Sequence, residues 1–338
     1  MVLNDGETFD PRVFVRGNPH RLGDAVPRRF LSAIERDNRK PFSSGSGRLE
    51  LARAIVDPAN PLTARLMVNR VWQHHFGAGL VRTPGDFGMR SDPPTHPELL
   101  DWLSGEFVGD HRILARRARA GLPQLNGQPS LARRASPAWS LKRLHRLMLS
   151  SRVYQQSSQP PSGLDADPDN RLMIHANRKR LDFEATRDAL LFVTGQLDDR
   201  LGGPARPMLD GGFHPRRTVY ATLDRLDPPS LLSVFDFPSL AATSASRDTT
   251  TVSPQALFLM NGPLVATASQ LTSQRSDVTR EPDTLSRVRH LTRILFAREP
   301  TASEEGLAAE FLGPQPSPIA WQQFAQALLL TNEFVFVD

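Results

Sequence analysis

The sequence predicts a mainly α fold, a multi-helix globular domain with a few short strands. Three observations carry that reading. Helix start signals stand directly before apolar runs of helical spacing at Asn60-Pro61, Thr95-His96-Pro97-Glu98, Ser140, Asp182, Ser253-Pro254, Thr301-Ala302-Ser303-Glu304 and Ser317-Pro318. Proline is abundant, 29 in 338 residues, which favours short helices joined by rigid turns. Strand signals are sparse: Val13-Phe14-Val15, and RRTVYATL at Arg216–Leu223, where β-branched and aromatic residues follow a Gly-rich turn.

Taken in order, residues 1–46 read as an extended lead-in segment, too poor in apolar side chains to fold alone and ending in the flexible PFSSGSG. Residues 47–338 read as a helical domain. Its first helix spans about Leu49 to Val56. A second is capped by Asn60, has Pro61 at its first position and stops at Gly77. On a wheel, Leu62, Leu66, Val68, Trp72 and Phe76 share a broad arc that also holds Arg65 and Asn69, while Arg70 and His74 face away. Thr95–Glu98 reads as a capping box for a helix at Glu98–Phe107. Residues 110–138, rich in Arg, Ala, Gly and Pro, read as a basic, disordered insertion.

Beyond it, Ser140 caps a helix with Leu141, Leu144 and Met148 on one face. Gln155–Asp169 reads as a polar linker. Asp182 caps a helix carrying Phe183, Leu190 and Val193. Leu231–Pro238 is apolar and short. Ser253 caps Pro254–Met260, apolar nearly all round apart from Gln255, which predicts a central helix. Thr301–Glu304 is a second capping box, and Ser317-Pro318 opens a last long helix through Trp321, Phe324 and Leu328.

Composition narrows the function classes. The net charge of +5 looks like a nucleic-acid signal, but residues 110–138 alone carry six arginines against Asp110, and the rest of the chain balances to zero. Only Lys40, Lys142 and Lys179 are lysines, a bias that reads as base composition before phosphate recognition. Nucleic acid is therefore the weakest of the partner readings. Cysteine is absent, which excludes disulfides, thiolate catalysis and covalent haem attachment by this chain. No cofactor is expected. The start MVLNDGETFD is polar and acidic and carries no signal peptide, and no run is long enough to span a membrane.

The candidate residues are polar side chains embedded in oily helices. Asn69 and Gln255 each need a partner, since a buried unsatisfied amide costs roughly 1–3 kcal/mol. Arg187 lies between Phe183 and Leu191, with Glu184 three residues back and Asp188 beside it. The bland reading is an internal ion-pair network; the sharper one is an anion site. For Asn69 and Gln255 the bland reading is bonding to irregular backbone, for instance around Thr249–Val252; the sharper one is a polar pocket floor. Asn69, Arg187, Asp248 and Gln255 form the candidate binding set, and no catalytic residue can be named. His74 and His75 are adjacent and cannot share a metal from one helix face, no metal-ligand spacing exists, and His145 reads as a hydrogen-bonded core histidine. Asp86, Asp101, Asp182, Glu184, Asp188, Asp236 and Asp248 are the candidate carboxylates for acid–base work, and spacing alone shows no convergent pair. Nucleophile-elbow, phosphate-loop and dinucleotide fingerprints are absent.

The stretch RLELARAIVDPANPLTARLMVNRVWQHHFGAGLVRTPGDFG…PPTHPELLDWL closely resembles the C-terminal domain of unknown function of planctomycete cytochrome-c-type proteins, the PSD family. The pattern continues through WSLKRLHRLMLSSRVYQQSS, NRKRLDFEATRDALL, RRTVYA, FDFPS, RDTTTVSPQALFLMNGP, LTRILFAREPT and LLLTNEFVFVD. The resemblance implies an exported parent architecture, often with a c-type haem domain, of which this chain would be a C-terminal piece. It supplies no catalytic residues, and residues 110–138 have no counterpart in it. The function it implies is an accessory or binding module of an exported, haem-associated system, periplasmic or at the cell surface, with a c-type haem domain, another exported protein or a polysaccharide as partner. The rival is an enzyme of unknown type, possibly hydrolytic, with a polar pocket between the central helices.

Overall fold

The computed structural model describes residues 5–35, 40–109, 138–160, 167–208 and 214–337. The insertion expected at 110–138 lies outside the described residues, apart from Ala138, and so does part of the expected linker at 155–169. Among the described residues the chain is mainly α, with two small two-stranded sheets. It divides into two compact units, Met1–Ala176 and Asn177–Asp338.

Unit 1 opens with an antiparallel hairpin, β1 (Arg12–Phe14) and β2 (Leu22–Ala25), where the strand signal at Val13 and Phe14 predicted extended chain. A short α1 (Ser32–Glu35) and α2 (Arg48–Ile55) follow. The α3 helix (Pro61–Phe76) starts where its cap predicts: the Asn60 side chain accepts from the Leu62 N–H at 3.0 Å, and its Nδ2 donates to the Ile55 carbonyl at 3.0 Å, so one side chain ends α2 and begins α3. Gly77, at φ +80°, closes the helix in a conformation that a Cβ would strain. The α4 helix (Pro97–Val108) lies where expected, but the Thr95–Glu98 capping box does not form. The helix starts one residue later than the box requires, so His96 rather than Thr95 occupies the cap position, with no side-chain capping bond, while the Thr95 N–H donates to the Leu80 carbonyl. Ser140 caps α5 (Leu141–Leu149) by accepting from the Arg143 N–H.

The unit 1 core is where α3, α4 and α5 meet: Val68, Val71, Trp72, Leu80, Leu100, Leu103, Phe107, Leu144 and Met148 are all buried. Each large apolar side chain there contributes roughly 1.5–3 kcal/mol by leaving water. Leu62, placed by the wheel in the buried arc, is exposed, although Ala64 in the same turn is buried in the core.

In unit 2, β3 (Lys179–Arg180) pairs antiparallel with β4 (Phe336–Val337), tying the unit's two ends together. Between them run α6 (Phe183–Val193), α7 (Ser230–Val234), α8 (Ser253–Asn261), α9 (Pro263–Ser273), α10 (Ser276–Thr279), α11 (Thr284–Phe296), α12 (Ala302–Leu312), α13 (Pro318–Leu329) and α14 (Asn332–Val335). Asp182, Thr301 and Ser317 cap α6, α12 and α13 as their sequences predict, Thr301 within a reciprocal box with Glu304. The α9 and α13 helices pack against each other, with Ala268 and Ala325 fully buried. Trp321 and Phe324 join Val288, Leu291 and Leu312 in a second cluster, and the Arg287 guanidinium lies 4.0 Å over the Trp321 ring.

Three expectations fail in unit 2. Arg216–Leu223 is not a strand. Thr218–Tyr220 is a 3-10 turn flanked by isolated bridges, Asp198 with Arg216 and Arg206 with Ala221. The Thr218 N–H is taken by the Asp188 carboxylate at 2.7 Å, so no ladder continues through it. The α8 helix is not central. Gln255 is its buried residue, while Leu257 and Met260 are each 56% exposed. Nor does Ser253 cap it: the helix begins at Ser253, Val252 holds the cap position, and the Gln255 carboxamide oxygen faces the Val252 N–H at 3.5 Å.

No helix among the described residues is long and apolar enough to cross a membrane.

Candidate functional site

A dense polar arrangement in unit 2 joins the start of α6, the end of α7 and the segment leading into α8. Its centre is Arg247, a residue that the sequence alone did not single out. The Arg247 guanidinium donates through Nη1 to both oxygens of Glu184, at 2.9 and 3.0 Å, through Nη2 to the Phe235 carbonyl at 2.8 Å, and through Nε to the Asp236 carbonyl at 2.9 Å. One nitrogen serves the carboxylate, and the remaining donors pin the chain after α7. The same guanidinium lies 5.4 Å from the Phe237 ring centre.

Asp236 turns that chain. It sits at φ +57°, a left-handed conformation that costs a non-glycine residue roughly 1–3 kcal/mol unless the surroundings impose it. Here its side chain holds the opposite wall, accepting from the Thr250 N–H at 2.8 Å and from the Thr250 hydroxyl at 2.7 Å. The Thr250 N–H, aided by its hydroxyl and by Arg247, keeps the Asp236 carboxyl below the usual carboxylate range.

Gln255 locks the third side. Its Nε2 donates to the Val234 carbonyl at 2.8 Å, and its Oε1 accepts from Arg180 Nη1 at 2.7 Å. Arg180 also donates to the Thr250 carbonyl at 2.9 Å. Beneath lies an aromatic bed of Phe183, Phe235 and Phe258, with ring centres 5.0–6.0 Å apart.

These bonds hold open a cleft of about 350 Å³ lined by Asp236, Phe237, Ser239, Thr243, Ser246, Arg247 and Asp248, among others. Asp248 is exposed on it. Arg247 and Asp236 face the cleft but are committed to the protein's own groups. Asp248, the aromatic ring and the hydroxyl side chains remain to meet a solute.

Of the four residues expected to form a binding set, Asp248 lines this cleft and Gln255 braces its wall. Arg187 is elsewhere in unit 2. It is 2% exposed and donates to the His214 and Arg216 carbonyls at 2.6 and 3.0 Å and to the Thr218 hydroxyl at 3.0 Å. The ion-pair network expected around it is thin. Asp188 stands 3.8 Å away and Glu184 is bound to Arg247 instead, so burial pushes the Arg187 guanidinium below its ordinary value. Asn69 belongs to unit 1, where it bonds both backbone groups of Val81: Oδ1 accepts from its N–H at 2.8 Å and Nδ2 donates to its carbonyl at 3.0 Å. A Cβ on Gly79 would come within 2.7 Å of the Asn69 amide, so glycine there lets the chain pass over it.

Among the carboxylates, Asp101 pairs with Arg65 at 2.7 Å, and Asp182 caps α6. His145 is half-buried, its Nδ1 lying 2.7 Å from His75 Nε2, a pairing across two helices that sequence adjacency could not reveal. No group of three or more histidine or carboxylate side chains among the described residues could hold a metal ion.

The residues missed from sequence were Arg180, Arg247, Phe237 and Thr250. The signals available were an arginine opening a run of hydroxyl residues, RDTTT, and an aspartate between two phenylalanines, FDF.

No curated protein and no solved structure matches the chain. Residues 47–117 and 131–312 match the family PSD1, described as "Protein of unknown function (DUF1553)". The unmatched stretch, 118–130, is narrower than the 110–138 expected to lack a counterpart, and the match includes both the α3–α5 core of unit 1 and the Arg247–Asp236–Gln255 arrangement of unit 2. With most of its length matched, the chain belongs to the PSD1 (DUF1553) family of proteins of unknown function.

Proposed function

We propose that the chain is a binding module whose cleft at Asp236–Asp248 takes a hydroxyl-rich ligand, a segment of polysaccharide. One observation carries this reading: the cleft is braced by fully committed groups while its open face offers an aromatic ring, a carboxylate and several hydroxyls. That combination suits a sugar, whose apolar ring face packs on an aromatic and whose hydroxyls bond to carboxylate and hydroxyl side chains. The family resemblance supports placing the module in an exported, haem-associated system, periplasmic or at the cell surface, beside a c-type haem domain or another exported protein.

The hydrolytic alternative has less support. It needs one carboxyl that keeps its proton near neutral pH. Asp236 is shifted the other way, and Glu184 is bound by Arg247.

The test is titration of the full chain against a panel of neutral and acidic oligosaccharides by calorimetry. Binding should appear for at least one class, and Asp248→Ala should weaken it at least about tenfold, as for loss of a charge-assisted hydrogen bond, without lowering thermal stability. Silence across the panel, or binding indifferent to Asp248→Ala, overturns the reading.

A further inference from the structure

Two stretches of unit 1, residues 58–85 and 111–164, contain no aspartate or glutamate. The first includes α3 and the second α5, and these two helices pack against each other. Acidic side chains reach them from α4, where they are engaged internally: Asp101 binds Arg65 at 2.7 Å, Glu106 binds Arg143 at 2.5 Å, and Glu98 also has a partner. Among the described residues, the positive charge on the outer face of α5 is therefore left without an internal counter-charge.

Lys142 and Arg146 stand four residues apart on α5 and so share a face. Both are exposed, and neither makes an ion pair among the described residues. With His145, Leu149 and Ser150 they line an open cleft of about 660 Å³. The His145 ring is fixed there by His75, 2.7 Å away, and the His75 ring in turn meets Tyr154 edge-on. Two imidazoles this close invite a metal reading, but a cation seated there would lie beside two positive side chains and lack a third ligand among the described residues. The same surroundings favour an anion.

We propose that this cleft binds an oxyanion, a phosphate or sulfate ester group, held by Lys142 and Arg146 against the fixed His145 ring. The site lies in unit 1, apart from the cleft assigned to polysaccharide, and stands whether or not that assignment does.

The experiment is titration of the full chain with inorganic phosphate and inorganic sulfate, then with polyphosphate, dextran sulfate, uncharged dextran and phosphatidylglycerol vesicles, read by calorimetry and by thermal shift. The comparison proteins are Lys142→Gln/Arg146→Gln and, as a charge control in unit 2, Arg280→Gln. Saturable binding of the inorganic ions is expected, weakening with added salt. The double variant should bind at least about tenfold more weakly, as for the loss of two charge-assisted contacts, and Arg280→Gln should bind as the parent does. A preference for polyphosphate or for dextran sulfate then assigns the ester. Both substituted side chains are exposed and unpaired, so unfolding curves of the double variant should overlay those of the parent. Three results overturn the proposal: no saturable response to either ion, an equal response from the double variant, or binding only to phosphatidylglycerol vesicles. The last would make the exposed Leu141, Leu149 and Tyr154 part of a lipid-facing surface instead.

Discussion

Arg247 grips Glu184 through both carboxylate oxygens while its other nitrogens hold the backbone of Phe235 and Asp236. A residue in the first turn of α6 is thereby tied, through an arginine sixty-three positions away in sequence, to the chain leaving α7. Glu184 gains twice from its place, since a carboxylate near a helix start also meets the favourable end of the helix dipole. The cleft above depends on this pair more than on any apolar contact at its rim.

Replacing Arg247 should therefore cost more than a surface ion pair does. Both side chains are mostly shielded, at 21% and 28% exposure. Arg247→Ala leaves Glu184 and two carbonyls without a donor, and a loss of about 2–3 kcal/mol in unfolding free energy is expected. Arg247→Lys should recover less than half of it, because one ammonium cannot serve a carboxylate and two carbonyls in three directions. Urea unfolding of the three proteins checks this, and a loss below about 0.5 kcal/mol for the alanine variant, the level of an exposed pair, would refute it.

The inverted α8 helix makes a sharper contrast. Gln255→Leu keeps the volume of the side chain but strands the Val234 carbonyl and frees Arg180, and should cost about 1–3 kcal/mol. Leu257→Ser removes an apolar side chain that is already 56% exposed, and should stay within about 0.5 kcal/mol of the parent. The polar residue should thus matter more than the leucine. Amide exchange at Thr250 and Val252, faster in the Gln255 variant alone, would place the loosening in the segment that Gln255 and Arg180 hold.

How far the sequence reached follows from the range of each interaction. Helix starts at Asn60, Ser140, Asp182, Thr301 and Ser317 were legible because a cap and its N–H lie within three residues. Burial of Asn69, Arg187 and Gln255 was legible from periodicity. Their partners were not, because Val81, Val234, His214 and Arg216 supply backbone groups from irregular segments that no spacing rule connects to them. Thr95 misled because the helix begins one residue later than its capping box requires, which leaves His96 at the cap position. The α8 helix misled because Gln255 is turned inward while Leu257 and Met260 are exposed, the reverse of what a largely apolar segment implies. The cleft itself was half legible: Asp248 and Gln255 were candidates, but no spacing rule connects Arg247 to Glu184, sixty-three residues away.

In unit 1, Asn69 acts as a piece of backbone, exchanging two hydrogen bonds with Val81 as a neighbouring strand would. Asn69→Leu should leave both Val81 groups unpaired in a buried setting, at about 2–4 kcal/mol together. Asn69→Asp retains the acceptor but loses the donor and buries a charge, so it should be no better at neutral pH. Because Trp72 lies one turn along the same buried face, its fluorescence reports unfolding of this core. A variant with an unshifted urea midpoint would mean that Val81 finds other partners.

Acid should weaken unit 2 through Glu304. Its carboxylate is held by Arg298 at 2.7 and 2.9 Å and by the Thr301 N–H at 2.7 Å, and these bonds, Arg298 first, lower its pKa to about 2. In the unfolded chain a glutamate titrates near 4.3 or so. The folded value lies below the unfolded one, so the stabilisation is complete above the unfolded pKa and is lost as pH falls through the folded one. The urea midpoint should hold steady above about pH 5 and fall between about pH 4 and pH 2. Asp236, shifted in the same direction, adds to the fall. Glu304→Gln keeps an acceptor for the Thr301 cap but removes the charge facing Arg298. It should lower the midpoint at neutral pH and lose less on acidification. Parallel pH profiles for the two proteins would show that the Arg298 contact contributes nothing to folding, and would leave the carboxylate's low pKa without a consequence for stability.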